Sequence, residues 1–333
     1  MAYSTGDTIL DDEYNIFAQG AAGGVDHTVD NVNSVWDTGS GDLGYGQGSA
    51  VSAVSAGSTI TAAQWNTLLT RIENIGTHQA TSVASYATLD SDDTIAAIGT
   101  VQANVTSVYD NRLNANAFGS DITTNGAVTE TADWTTRLTY TMVIDFDTAA
   151  KFRYYFNAGG SIAMTFSRSG GATTDKNTEW TDLASNCGTV HLTGSHSHTI
   201  ASVAYSGTTQ IGGSDAGSGS SVSNIDAHAL TTSDQSLFKQ FADTAPYTAN
   251  FIEIKAKADA AAGSATTITF TTVCEDAAAD TANPTHVLSG TDPADLDIVQ
   301  GSFVATWVLK QPATAVLSNT WGTPTMSGSV VET

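Results

Sequence analysis

The sequence predicts a mainly β protein, with a short α-helical N-terminal segment followed by an antiparallel, jelly-roll-like β-sandwich. Three observations carry that expectation. Apolar residues recur at helical spacing through the first third and switch to alternation near residue 134. Charged residues make up 14% of the 333-residue chain, well under the roughly 25% of an average domain, and Gly, Ser, Thr and Ala take their place. Turn clusters rich in glycine separate the alternating runs. The change of period divides the chain into residues 1–115, an anchoring or oligomerisation segment, and residues 116–333, the sandwich.

In the first segment, Leu10, Tyr14 and Phe17 give a helix over residues 9–19. Asp11, Asp12 and Glu13 lie in its first turn, where the dipole favours them, and Gly20 stops it. Val25, Val29, Val32 and Trp36 share a second helical face that ends at Gly39 and Gly41. The third helix has the clearest start, a Thr61-x-x-Gln64 capping box. Trp65, Leu68, Leu69, Ile72 and Ile75 then form one stripe, closed by Gly76. Over residues 92–114, Ile95, Ile98, Gln102, Val105 and Tyr109 alternate three and four apart, the spacing of a coiled coil. Helices this short are marginal alone in water, so their stripes need a cover. Trp65, Leu68, Leu69, Ile72, Ile75, Ile95, Ile98 and Val105 are therefore expected to face a neighbouring subunit, with a homotrimer favoured, or the chain's own core.

In the second segment, Leu138, Tyr140, Met142, Ile144 and Phe146 alternate with more polar residues, which predicts a strand with one buried face. Phe152, Tyr154 and Phe156, then Ile162, Met164 and Phe166, alternate about Asn157-Ala158-Gly159-Gly160 and predict a β-hairpin. Further strands are expected around Val190–Leu192, Ser202–Tyr205, Ile252–Ala256, Ile268–Cys274 and Phe303–Leu309. The run Gly212–Ser221 reads as a flexible surface loop.

Eleven basic residues stand against 34 acidic ones, a formal charge of −23. Such a surface repels phosphate backbones and anionic lipid, so neither nucleic acid nor a membrane is an expected partner. No apolar run approaches the roughly 18 residues of a membrane span, and the start lacks the pattern of a signal peptide. Cys187 and Cys274 have no metal-type spacing and read as two small buried side chains.

Several stretches touch on chemistry. Asp37-Thr38-Gly39-Ser40 spells the loop of an aspartic protease, yet that chemistry needs two carboxylates sharing a proton and the chain has one such loop. It also follows a helical pattern rather than a strand, so a capped turn is the expectation. His196 and His198, with His191 nearby, have zinc-compatible spacing but read as a polar edge. Asp292, Asp295 and Asp297 lack the glycine and final Glu of a calcium loop. Asp145 and Asp147 are near enough in sequence to raise a glycosidase pair. Tyr45 and Trp321, beside glycine loops, would suit stacking on sugar rings. No catalytic residue, cofactor or metal is expected.

Four stretches carry a family resemblance: GDTILDDEYNIFAQG, GYGQG, SAGSTITAAQWNTLLTRIENIGTHQ and RYYFNAGGSIAMTFS. They resemble the virion structural and tail-fibre proteins of tailed bacteriophages, notably those of marine cyanobacteria. The resemblance covers roughly residues 5 to 310 and is most specific at Thr59–Gln79 and Phe156–Ser161. It implies a non-enzymatic component of the virus particle, partnered by other virion proteins: a tail fibre, a neck or collar fibre, or a capsid decoration. A host-glycan-binding adhesin of the virion is the alternative. Assembly would take place in the host cytoplasm.

Overall fold

The computed structural model describes residues 11–22, 25–26, 30–90, 98–277 and 298–333. It opens with helix α1 (Asp11–Gln19), a short ladder of β1 (Ala21–Ala22) and β2 (Val25–Asp26), and helices α2 (Val32–Trp36), α3 (Ala62–Gln79) and α4 (Ile98–Asp110). Strands β3 (Phe118–Ile122), β4 (Ala127–Glu130) and β5 (Arg137–Asp145) follow. Helix α5 (Ala149–Asn157) then leads into β6 (Ser161–Ser169), and helix α6 (Asp175–Asn186) into β7 (Thr189–Thr193). Short strands β8 (His198–Ile200), β9 (Val203–Tyr205), β10 (Thr208–Ile211) and β11 (Ser221–Val222) come next. The chain continues through β12 (Gln235–Phe241), β13 (Phe251–Ala258), β14 (Thr267–Glu275), β15 (Ser302–Pro312) and β16 (Thr325–Glu332).

Twelve strands form two open, six-stranded sheets, while β8 and β9, like β1 and β2, pair as a separate two-stranded ladder. The first runs β10-β7-β6-β15-β3, with β4 also paired to β15. The second runs β11-β12-β13-β14-β5-β16. Every pairing within them is antiparallel. Alternation in β5, β13, β14 and β15 buries one face of each, as their sequences predict. The inner faces meet where the Tyr140 hydroxyl donates to the Phe303 carbonyl at 2.9 Å. The rings of those two residues lie 6.2 Å apart.

This is a mixed α/β fold, not the jelly-roll-like β-sandwich expected. Helices occur along the chain rather than in its first segment alone, and neither sheet closes. The physical reason is visible at α5 and α6. The expected first arm of the β-hairpin is helix α5: Thr148 caps it by accepting from the Lys151 N–H, and the rings of Phe152 and Phe156 pack four residues apart, 5.0 Å between centroids. Alternation at 152, 154 and 156 is compatible with either period, and the cap decides it. Helix α6 starts at the Thr174 cap and buries Trp180, Leu183 and Ala184. It packs against β6 of the first sheet and β13 of the second, filling the space where a closed sandwich would bring strands together.

The N-terminal helices are part of the same core. One cluster of buried apolar side chains runs from Tyr14 to Met326 and crosses residue 115 without a break. Trp65, Leu68, Leu69, Ile72 and Ile75 are all buried by the chain itself, with Leu68, Ile72 and Ile75 at 0% exposure. Val105 is buried as well. Ile98 begins α4, while Ile95 lies outside the described residues. Of the two covers expected for this stripe, the chain's own core supplies it, so no neighbouring subunit is needed to bury these side chains.

Helix α3 has the capping box that its sequence spells, with Gln64 Oε1 accepting from the Thr61 N–H at 2.9 Å. It passes through Gly76 and ends at Ala80 in a left-handed conformation. A Cβ on Gly76 would crowd Val83, so that glycine serves packing rather than termination. Among the described residues of the segment expected to be helical from Val25 to Trp36, residues 32–36 are helical, started by an Asn31 cap, and Val25–Asp26 is strand β2.

Ile72→Asp places a charge in this core and is expected to prevent folding of the single chain, by more than about 4 kcal/mol. Circular dichroism and solution mass check it: loss of all cooperative unfolding is expected, not a folded monomer released from an oligomer.

Candidate functional site

Three of the four stretches that carry the family resemblance, GYGQG, the end of helix α3 and the run through Asn157, meet at one buried joint. Loop residues 39–47 reverse direction through Gly39, Gly41, Gly44 and Gly46, all at positive φ. At Gly46 a side chain would also collide with the Tyr154 ring of α5. The loop's carbonyls point inward and meet Asn157, at 0% exposure, whose Nδ2 donates to Gly41, Leu43 and Gly44 at 3.2, 3.0 and 3.2 Å. Asn157 Oδ1 accepts from His228 Nε2 at 2.9 Å, which fixes the proton of that imidazole on Nε2.

Beside it, the Tyr45 hydroxyl donates to the Arg112 carbonyl at 2.6 Å and accepts from Gln79 Nε2 at 2.9 Å. Gln79 also donates to Val108, and His78 Nε2 to Ala158. Gln47 reaches the far end of the chain, donating to the Ser318 carbonyl at 2.9 Å and accepting from its N–H at 2.7 Å. Helices α1, α2 and α3 use the same device. Asn15 pairs both of its amide groups with the backbone of Val54, Asn33 with Val51, and Asn66 with Leu89. Each amide acts as a short piece of partner strand for an extended segment with no ladder of its own.

The sequence-predicted chemistry is arranged differently. Asp37 ends α2, with its N–H on Asn33 and its carbonyl accepting from Gly46, so Asp37-Thr38-Gly39-Ser40 is the capped turn expected. Asp145 Oδ1 accepts from the Asp147 N–H at 2.7 Å, and Asp147 pairs with Lys151. Those two carboxylates thus shape a turn rather than face a common cleft. His191 contacts Ser161, His198 stacks on Tyr205, and the exposed His196 turns to Asp226. The three imidazoles do not converge as a metal site. Tyr45 and Trp321, at 1% and 0% exposure, cannot stack on an external sugar. Cys187 and Cys274 are free and buried, as expected. Asp292, Asp295 and Asp297 lie outside the described residues.

Helix α6 carries the polar groups that sequence reasoning missed. On its outer side Glu179 and Asp182 meet Asp243 from the turn after β12, with one carboxylate oxygen of each within 4.8 Å of the others. Among the described residues this is the one such group of three, and these oxygens suit a hard divalent cation. Burial, then the charges of Asp243 and Asp182, push the Glu179 carboxyl above its usual range. On the inner side Lys176 and Asp276 form an ion pair at 2.6 Å with both side chains buried. The available signal was the Thr174-x-x-Asn177 start before Trp180, Leu183 and Cys187, a helical period in a stretch poor in apolar residues.

The chain matches no family model, no curated protein and no solved structure.

Three imidazoles give the fold a measurable pH response. Burial lowers His78, His191 and His198 from 6.5 to about 4. Each therefore binds its proton more weakly in the folded state. Their contribution is present above pH 6.5 and is lost as pH falls toward 4, by up to about 1.4 kcal/mol per pH unit and group. The raised carboxyls of Glu179 and Asp276 act in the opposite sense. The thermal midpoint of His198→Gln is expected to fall less steeply than wild type across this window, as read by calorimetry at stepped pH.

Proposed function

We propose that the chain is a non-enzymatic structural component of a virus particle of the tailed-bacteriophage kind. The observation that carries this reading is the joint. Three of the four stretches that resemble phage virion proteins meet there, and Asn157, Tyr45, Gln79 and Gln47 each hold backbone groups of other segments. A motif whose asparagine and glutamine amides grip the chain's own backbone supplies rigidity. The strong negative charge keeps such a part soluble before assembly and favours divalent cations or basic surfaces on neighbouring proteins. The glycan-binding alternative is set aside because the aromatics on which it rested, Tyr45 and Trp321, are buried.

Purified tailed-phage particles that encode this chain are expected to contain it at a fixed copy number by quantitative mass spectrometry, with antibody to it labelling one defined position. A chain confined to the soluble lysate, with particles assembling normally when its gene is deleted, would contradict the proposal.

A further inference from the structure

Lys176 lies in the first turn of α6, and Asp276 directly follows β14. Their side chains are 1% and 0% exposed, with Nζ 2.6 Å from Oδ2. Two buried charges cost more to desolvate than their attraction returns unless their hydrogen bonds are well made. Here Nζ is held directly against one carboxylate oxygen of Asp276. Both charges are therefore expensive to keep in this site, and a step that removes them together would relieve that cost. The surroundings are dry and aromatic: Trp180, one helical turn after Lys176, lies 4.8 Å from the Trp134 ring and 5.8 Å from that of Phe303. Asn250 and Trp180 also act on the Asp276 carboxyl through their N–H groups.

We propose that Lys176 and Asp276 are joined by an intramolecular amide bond that the folded chain forms itself. Within the pair, the ammonium passes one proton to the carboxylate, leaving a neutral amine and a neutral acid. Burial favours that neutral form and holds the Asp276 carboxyl above its ordinary range. The Nζ lone pair then adds to Cγ. The Asn250 and Trp180 N–H groups are placed to stabilise the oxyanion of the tetrahedral intermediate. The C–OH bond breaks, and the hydroxyl leaves with a proton from nitrogen as one water. Nothing is oxidised or reduced, and no co-reactant is needed. The product replaces two buried charges with one neutral amide, and expulsion of water from an apolar site favours it. The bond ties α6, which follows β6 of the first sheet, to the end of β14 in the second. It thus fastens the open side that the helix fills.

Intact mass of the full chain under denaturing conditions tests this, after allowance for the N-terminal methionine. The expected result is a mass one water below that of the sequence, with a branched peptide joining Lys176 to Asp276 in the digest. Lys176→Arg and Asp276→Ala are each expected to restore the full mass and to lower the thermal midpoint. A wild-type chain at its full sequence mass overturns the proposal without recourse to any variant. So does a deficit that persists in Lys176→Arg, or the loss of one ammonia with the branch at Asn250.

Discussion

The fold depends on the way Asn157 holds the loop at residues 39–47. Four glycines at positive φ turn that loop's carbonyls inward, where no strand or helix can satisfy them. A buried carbonyl left without a donor costs about 1–3 kcal/mol, so the turn persists only because one amide covers Gly41, Leu43 and Gly44 together. Asn157 is itself fixed at both ends, as the last residue of α5 and as the acceptor of the His228 proton. From this point Tyr45 and Gln47 extend the same logic, to α3 and α4 on one side and to the loop before β16 on the other.

The same economy explains the mixed architecture. Alternating sequences make good sheets, but two twisted sheets packed face to face leave wedge-shaped gaps at their margins. Helix α6 fills one such gap between β6 and β13, with Trp180 and Leu183 inward and Glu179 at the rim beside Asp182. The sheets stay open because their margins are covered by helices and loops, not by their closure on each other. Lys176, in the first turn of α6, and Asp276, directly after β14, connect that helix to the second sheet.

Much of the sheet structure was legible in the sequence, because β5, β13, β14 and β15 have one buried face each and period two reports that directly. The capping box of α3 was equally legible, since its two residues act on each other. The signal failed where a segment is buried on several sides. In Phe152–Phe156 aromatic residues pack all around α5, so periodicity no longer distinguishes helix from strand, and only Thr148 marks the start. The stripe of α3 was read correctly as buried, but sequence cannot state whose atoms bury it. The asparagines at 15, 33, 66 and 157 gave no warning, since a polar residue that grips a distant backbone looks like any other surface amide until the partner loop is in view.

The central claim is that the helical joint and the two sheets form one cooperative unit, locked by buried amides. Native-state hydrogen exchange of the intact wild-type chain tests it most directly. Amides of residues 43–47, of α3 and of α5 are expected to open with the same free energy and denaturant dependence as the strands β5 and β15. Exchange of the joint through a separate, lower-energy opening, with the sheets still protected, would contradict the account.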